Sequence, residues 1–305
     1  MTQSSSSHWI RNIFFLMLII QMAPLVIKTV KQYYEDTISP KTKVGILTIK
    51  GTISDTSLYV QQFKTFCEDD SIKAILLKVD SPGGIAGASA SLHHVIRSLK
   101  ELHHKPVIGW IQNMCASGGY YIVAATDHIV ATSVSGIGSI GAYIPQIQLK
   151  ELIQQIHIKY DAIHAGKYKT TGNPLLANTP EQNAMLQQFV DDTYRIFVQD
   201  MIASRPQLAS ASKEVWADGK IFTGHRALEL HLIDEIGSPL TVEHAIKERA
   251  HITTEISWVR PPKQSHWLKL LSGTDDDGDA EHSYITTAVN AVMNYIIAHD
   301  LKPTL

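Results

Sequence analysis

Cysteine is scarce in this chain: Cys67 and Cys115 are the only two among 305 residues. Two thiols so far apart build neither a disulfide framework nor a zinc site of the usual Cys/His spacing. Neither reads as a metal ligand, and the sequence leaves open whether they pair. An excess of one charge is also missing. The formal net charge is −2, and without a long Lys/Arg cluster nucleic acid is disfavoured as the main partner. No glycine-rich loop runs into Lys and Ser/Thr, and no GxGxxG opens a helix, which disfavours nucleotide binding. What remains is 44% hydrophobic and 18% charged, the composition of a globular protein with a substantial core.

The N-terminus departs from that average. Asn12 to Ile27 is charge-free and mostly apolar, with Arg11 before it and Lys28 and Lys31 after it. At ~1.5 Å per residue the run is slightly short of a hydrocarbon crossing, and Trp9, Ile10 and Val30 extend it. Its end, Met22 to Ile27, offers no clean small-x-small cleavage site, so a signal anchor is favoured over a cleaved signal peptide. A buried helix of a soluble protein is the alternative. Basic residues on both sides set the orientation poorly. The expected division is an anchor over 1–31, a polar linker or stalk over 32–43, a catalytic domain over 44–250 and a C-terminal extension over 251–305.

Within the globular part, strands are expected over Val44 to Ile49, Ile72 to Val79 and Pro106 to Ile111. Helical spacing covers Ser57 to Asp69 and the stretch through Leu92, Val95, Ile96 and Leu99. Such alternation predicts an α/β architecture with crossover connections. Three glycine turns follow strands: Asp80 to Gly84, Ser117 to Gly119 and Ser135 to Gly141. In an open α/β sheet such turns gather at one cleft, although each taken alone is also an ordinary tight turn.

Ser117 is the informative residue of the second turn. A small hydroxyl side chain leaves an apolar strand and meets Gly118 and Gly119 before an apolar helix. Glycines permit a sharp turn and a close substrate approach, and amides at a helix start can hold an oxyanion. A serine nucleophile also needs a base. Among fifteen histidines, His157 and His164 lie downstream, but His157 reads as one face of a strand and no partner carboxylate stands out. Lys169, in Ala165 to Thr170, is the better candidate. A free lysine has a pKa of ~10.4 and serves as a base only when desolvation or a neighbouring cation lowers it. Ser139 offers a hydroxyl for such an amine, while both Lys167 and Lys169 also read as solvated surface residues.

Four blocks in this order resemble the signal peptide peptidase A type of serine protease, a Ser/Lys-dyad family on a ClpP/crotonase-like fold. They are Lys73 to Gly84, Ala116 to Tyr121, Gly138 to Gly141 and Gly166 to Lys169, and the resemblance runs from about Val44 to Gly237. It implies that Ser117 attacks the peptide carbonyl, that Lys169 takes its proton, and that Ser139 orients the lysine. The Gly84 and Gly118 amides would form the oxyanion hole. It further implies no cofactor or metal, a homo-oligomer, and a dyad that adjacent protomers can share. The implied location is the bacterial cytoplasmic membrane, single-pass, with the catalytic domain on the extracytoplasmic side.

One position departs from the family: His231 stands between Leu230 and Leu232 where glycine is usual. A helix C-terminus often requires a left-handed residue there, which histidine adopts less readily. Thr179, Pro180, Glu181 and Gln182 form a helix start with a potential capping box, opening a helix to about Ser204. Its Leu186, Phe189, Val190, Tyr194 and Phe197 are read as core or subunit packing, and Thr170 to Asn178 as a flexible loop near the active site. Downstream, a helix is expected near Val242 to Ala250. Asp275 to Asp279 lacks calcium-loop spacing and reads as a solvated loop. Ile285, Val289, Val292 and Ile296 mark one face of a final helix.

The resulting expectation is a membrane-anchored serine endopeptidase acting on membrane-associated peptides such as released signal peptides. Two alternatives stand beside it. A crotonase-like acyl-CoA hydratase or thioesterase would need a coenzyme A site and has no use for Ser117 with Lys169; a catalytically silent membrane scaffold would keep the fold alone.

Overall fold

The computed structural model describes residues 5–38 and 40–261. In chain order the elements begin with α1 (Ser5–Ile38), β1 (Lys41–Lys50), α2 (Ser57–Glu68), β2 (Ile72–Ser81), α3 (Ala86–His103), β3 (Val107–Ala116) and α4 (Gly118–Val123). Next come β4 (His128–Ala131), β5 (Gly136–Gly138), α5 (Lys150–Gln155) and α6 (Pro180–Ser204). The described part closes with α7 (Lys213–Trp216), β6 (Ile221–Thr223), α8 (Gly224–Glu229), β7 (Glu235–Ile236), α9 (Pro239–Arg249) and β8 (Glu255–Val259).

The eight strands form one sheet in the order β6-β5-β3-β2-β1-β8, with β4 pairing β3 and β7. All pairings are parallel except β5 with β6. Parallel neighbours need crossover connections, and α2 and α3 supply them between β1, β2 and β3. Alternation along the strands then fills both faces. Ile75, Leu77 and Val79 of β2 join Phe63, Leu92, Ile96 and Tyr120 in the larger core. Ala74 and Leu76 face the other way, packing with Ile108, Trp110 and the Val242, Ala245 and Ile246 side of α9.

β3 changes partner along its length. Ile108 to Ile111 pair with β4, whereas Met114 to Ala116 pair with β5. Between them Val79 opposes Ile111 but Ser81 opposes Cys115, so β3 carries two extra residues within 112–114, a bulge shortly before Ser117. The C-terminal end of β3 is thereby freed from β4 and held beside the β5 glycines. A crevice at such a partner change is the usual ligand site of an open α/β sheet.

Several boundaries differ from those expected. The helix continues through residues 32–38, where polar composition suggested a stalk, and β1 begins at Lys41. The sheet also takes in β8, beyond the boundary set at 250, because Glu255 to Val259 pair with β1 in register. Within α1, Asn12–Val30 has a mean hydropathy of 2.2 and none of it is buried. It is long and apolar enough to cross a membrane. The acidic run Asp275 to Asp279 and the helix face Ile285 to Ile296 lie outside the described residues.

Helix ends use four of the fifteen histidines. Four of the six non-glycine residues with positive φ among the described residues are histidines: His104, His157, His231 and His251. After α8, the His231 N–H donates to Leu228 O at 3.0 Å and the Leu232 N–H to Ala227 O at 2.8 Å, with φ 59° at His231. That is the paired bonding of a Schellman cap, in which glycine is the usual left-handed residue. His157 and His251 close α5 and α9 through the same pair of bonds. His157 is therefore a left-handed helix cap, not the strand residue expected, because a short helix precedes it.

Candidate active site

Ser117 occupies the single residue between β3 and α4. Its backbone has φ 50° and ψ −121°, a conformation that β-carbon sterics disfavour for any residue but glycine. Such strain persists only where the surroundings fix it. Here the Ser117 N–H donates to Gly138 O at 2.7 Å, and its own carbonyl accepts from the Tyr121 N–H at 2.9 Å. The turn thus presents the side chain at the tip of the strand, as a nucleophile elbow does.

The Asp80 to Gly84 turn is pressed against it. A Cβ placed on Gly83, whose φ is +107°, would lie 2.7 Å from Ser117 Cβ and 2.8 Å from Gly118 N. One placed on Gly84 would lie 2.0 Å from Ile53 O, and one on Gly118 would meet Ser89 Oγ at 2.3 Å and Gly84 N at 3.3 Å. Only glycine fits these positions. The Ile53 N–H donates to Gly83 O at 2.9 Å and the Ile85 N–H to Ile53 O at 2.7 Å, and these bonds leave the intervening Gly84 N–H outside the ladder. Gly118 opens α4, so its N–H lacks an intrahelical acceptor. The 18-residue α3 begins two residues after Gly84, adding the positive end of its dipole.

Ser139 is the β5-side neighbour. Ala116 is paired with Gly138, which sets Ser139 beside Ser117 across the sheet. Ser139 also has φ 50°, and its N–H donates to Lys220 O at 2.6 Å. Lys169 is placed differently. It is exposed, in a succession of turns between α5 and α6, and its N–H donates to Gly166 O at 3.1 Å. Among the described residues, neither its ammonium nor the Ser117 hydroxyl makes a side-chain hydrogen bond. The structure brings Ser117, Gly84 and Gly118 together at one cleft, with Ser139 next to Ser117 along the backbone pairing only; neither Ser139 nor Lys169 is among the residues lining that cleft. Lys167 is exposed as well.

A cleft of about 210 Å³ adjoins Ser117, Gly84 and Gly118. Its wall is largely apolar: Ile85, Tyr121, Ile144, Phe189, Val190 and Phe197 contribute to it. Phe189, Val190 and Phe197 were expected to serve core or subunit packing. Phe197 does enter the core, stacking on Tyr121 at 4.3 Å, but all three also border the cleft. Helical spacing identified the apolar face of α6 without showing what lies opposite. The entry of α6 is as expected. The Thr179 N–H donates to Gln182 Oε1 at 2.9 Å, and the Gln182 N–H donates to Thr179 Oγ1 at 3.2 Å, with Pro180 in the first turn.

Both cysteines are free and buried. Burial pushes the Cys67 thiol up to about 11 and raises that of Cys115, so neither competes with Ser117 as a nucleophile. A strand-end hydroxyl beside two unpaired backbone amides and an apolar side-chain pocket is chemically suited to acyl transfer.

The chain belongs to peptidase family S49, whose family pattern matches residues 100–253. It is 35% identical over 194 residues to a putative protease of Methanocaldococcus jannaschii, covering 64% of this chain and 60% of the relative. A putative protease of Synechocystis is 34% identical, with 66% and 72% covered. The putative signal peptide peptidase SppA of Enterococcus faecium is 31% identical, with 69% and 64% covered. The chain thus spans about three fifths to three quarters of these relatives' lengths. A solved structure of the 1510-N membrane-bound stomatin-specific protease aligns at 20% identity and a TM-score of 0.47, covering 77% of this chain and 99% of that one. Family membership and the parallel sheet of strand-turn-helix units bear out the ClpP/crotonase-like α/β fold.

Proposed function

We propose that this protein is a membrane-anchored serine endopeptidase with Ser117 as nucleophile and Lys169 as base, cutting membrane-associated peptides such as released signal peptides. The observation that carries the reading is the strained Ser117 turn, φ 50° and ψ −121°, set against the Gly84 and Gly118 amides. In this mechanism the Lys169 amine takes the hydroxyl proton as Ser117 Oγ attacks the scissile carbonyl. The Gly84 and Gly118 N–H groups donate to the developing oxyanion, each contributing ~3 kcal/mol by analogy with other oxyanion donors. The resulting ammonium returns the proton to the leaving amine, and water then releases the acyl group from Ser117. The Ser139 hydroxyl orients the amine.

An ammonium in water keeps its proton at neutral pH, and desolvation is what makes a lysine a base. The exposed turns carrying Lys169 acquire that cover in a homo-oligomer, where a neighbouring copy closes the site. The apolar wall favours an apolar side chain next to the scissile bond, on a substrate bound extended through main-chain hydrogen bonds. α1 then holds the domain at the bacterial cytoplasmic membrane, on its extracytoplasmic face. The kinship with the E. faecium relative supports that substrate class.

The test is hydrolysis of an internally quenched apolar peptide by the full chain in detergent, across pH, beside Ser117→Ala and Lys169→Ala at matched folding. Both variants should lose at least about 10³-fold in rate, and parental activity should rise above neutral pH. Full activity in Lys169→Ala would place the base elsewhere. No hydrolysis by the parent under varied conditions would favour the silent scaffold.

A further inference from the structure

Next to Tyr121, α3 and α6 bring three further groups together. His93, His94 and Asp200 each place one ligand atom within 4.8 Å of the others. His93 is fully buried, and its Nδ1 lies 2.7 Å from the Tyr121 carbonyl. A carbonyl only accepts, so Nδ1 carries the proton and Nε2 keeps its lone pair. Nε2 faces the Ser204 hydroxyl at 3.3 Å. Nδ1–H bonded to a backbone carbonyl is the usual support for a metal-bound histidine, and an ion at Nε2 would displace the weak Ser204 hydroxyl contact.

The other two groups complete the arrangement. His94 Nε2 lies 3.3 Å from Asp200 Oδ2, and the Tyr121 hydroxyl donates to the same carboxylate. Tetrahedral ligands at ~2.0–2.1 Å from an ion stand roughly 3.3 Å apart, so the His94–Asp200 pair already has the required edge. The His94 side chain is 57% exposed and that of Asp200 18% exposed, giving an ion a route from solvent and a side for a water ligand. Two imidazoles and a single carboxylate suit a borderline transition metal and fall short of the oxygen-rich shell of calcium or magnesium.

We propose that His93, His94 and Asp200 bind one zinc-class transition-metal ion, with water in the fourth position. This goes beyond the peptidase reading and does not depend on it. The ion would tie α3, whose start abuts Gly84, to α6, whose Phe189, Val190 and Phe197 wall the cleft. Its expected effect is to stiffen the apolar pocket. The three ligands come from two helices more than 100 residues apart, a spacing in which no sequence motif is visible.

Cobalt titration of the full chain, purified in detergent without a histidine tag, tests the site. One saturable equivalent should produce a tetrahedral Co²⁺ band in the visible spectrum, displaced by Zn²⁺, and Zn²⁺ should raise Tm. His94→Ala alters an exposed side chain, and Asp200→Asn leaves Tyr121 an acceptor, so both should fold. Each should weaken Co²⁺ binding at least tenfold and abolish the Zn²⁺ shift in Tm. Absence of a saturable band would overturn the proposal. So would unchanged affinity in both variants, which would put the ion on other histidines.

Discussion

Around Ser117 the glycines are pressed against backbone and side chains, with added-Cβ distances of 2.0 Å at Gly84, 2.7 Å at Gly83 and 2.3 Å at Gly118. Around Lys169 they stand in open space: a Cβ on Gly166 would meet only Lys169 Cβ at 4.0 Å, and one on Gly172 nothing within 4 Å. The first region is wedged between two strands and two helix starts. The second is a series of turns in which, among the described residues, no ion pair forms. Its hydrogen bonds are mainly local, with Asn178 reaching Gln146 at 3.0 Å and Gln182 reaching Lys167 O at 3.4 Å. Dense packing holds a strained residue in one geometry, so the nucleophile side is organised by the chain's own fold. The region of Lys169 lacks a fixed, dry environment of its own, which is why the proposed mechanism calls on a second copy.

Gly84→Ala breaks the contrast most forcibly. Its new methyl would drive into Ile53 O, so the turn or the Ile53 segment that follows β1 must move. The expected outcome is loss of several kcal/mol of stability together with most hydrolysis, read by urea titration and peptide cleavage. Gly172→Ala, with φ +79° but open space, should cost only about 1 kcal/mol. Equal effects at both positions would erase the distinction between the regions.

The pair beneath β4 offers an intermediate effect. Arg205 is buried, its Nη2 and Nη1 donate to Asp234 Oδ1 and Oδ2 at 2.7 and 3.1 Å, and its Nε donates to His231 O at 2.8 Å. Asp234 Oδ2 also accepts from the Ile129 N–H at 2.7 Å. Burial alone would raise the Asp234 carboxyl; the bonds and charge of Arg205 and the Ile129 amide outweigh it and hold the carboxyl below its usual range. A depressed carboxyl contributes stability that is complete above the unfolded value of ~3.9 and disappears as pH falls through the folded value. Asp234→Asn should therefore cost roughly 1–3 kcal/mol at neutral pH, allowing for partial solvent screening. It should also flatten the acid limb below about pH 4 in thermal unfolding.

The smallest change acts on the histidine caps. His231→Gly relieves the left-handed conformation at φ 59° and should stabilise by up to about 1 kcal/mol, read as a rise in Tm. His157→Gly, at φ 60° in the looser region, should raise global stability less, because local opening there is separable from the main core.

Much of this was legible in the chain because local chemistry decided it. Parallel strands read as apolar runs, Thr179 and Gln182 announced their capping box, and His231 marked a left-handed position through its departure from glycine. Ser117 and its glycines were visible because strand, turn and helix are contiguous there. The two-sided use of α6 was not visible, since periodicity tells which residues are apolar and not which neighbour faces them. β8 escaped because its pairing with β1 joins segments more than 200 residues apart. The role of Lys169 was not legible from its surroundings, because it sits exposed in turns held mainly by local hydrogen bonds.

The most direct test of Ser117 as a nucleophile held by its own fold is covalent labelling of the full chain with an activated peptidyl phosphonate bearing an apolar side chain, followed by mass spectrometric mapping. One phosphonyl group on Ser117, absent from Ser117→Ala and reduced in Gly84→Ala, is the predicted result. Labelling at another residue with Ser117 unmodified, or undiminished labelling of Ser117→Ala, would contradict it.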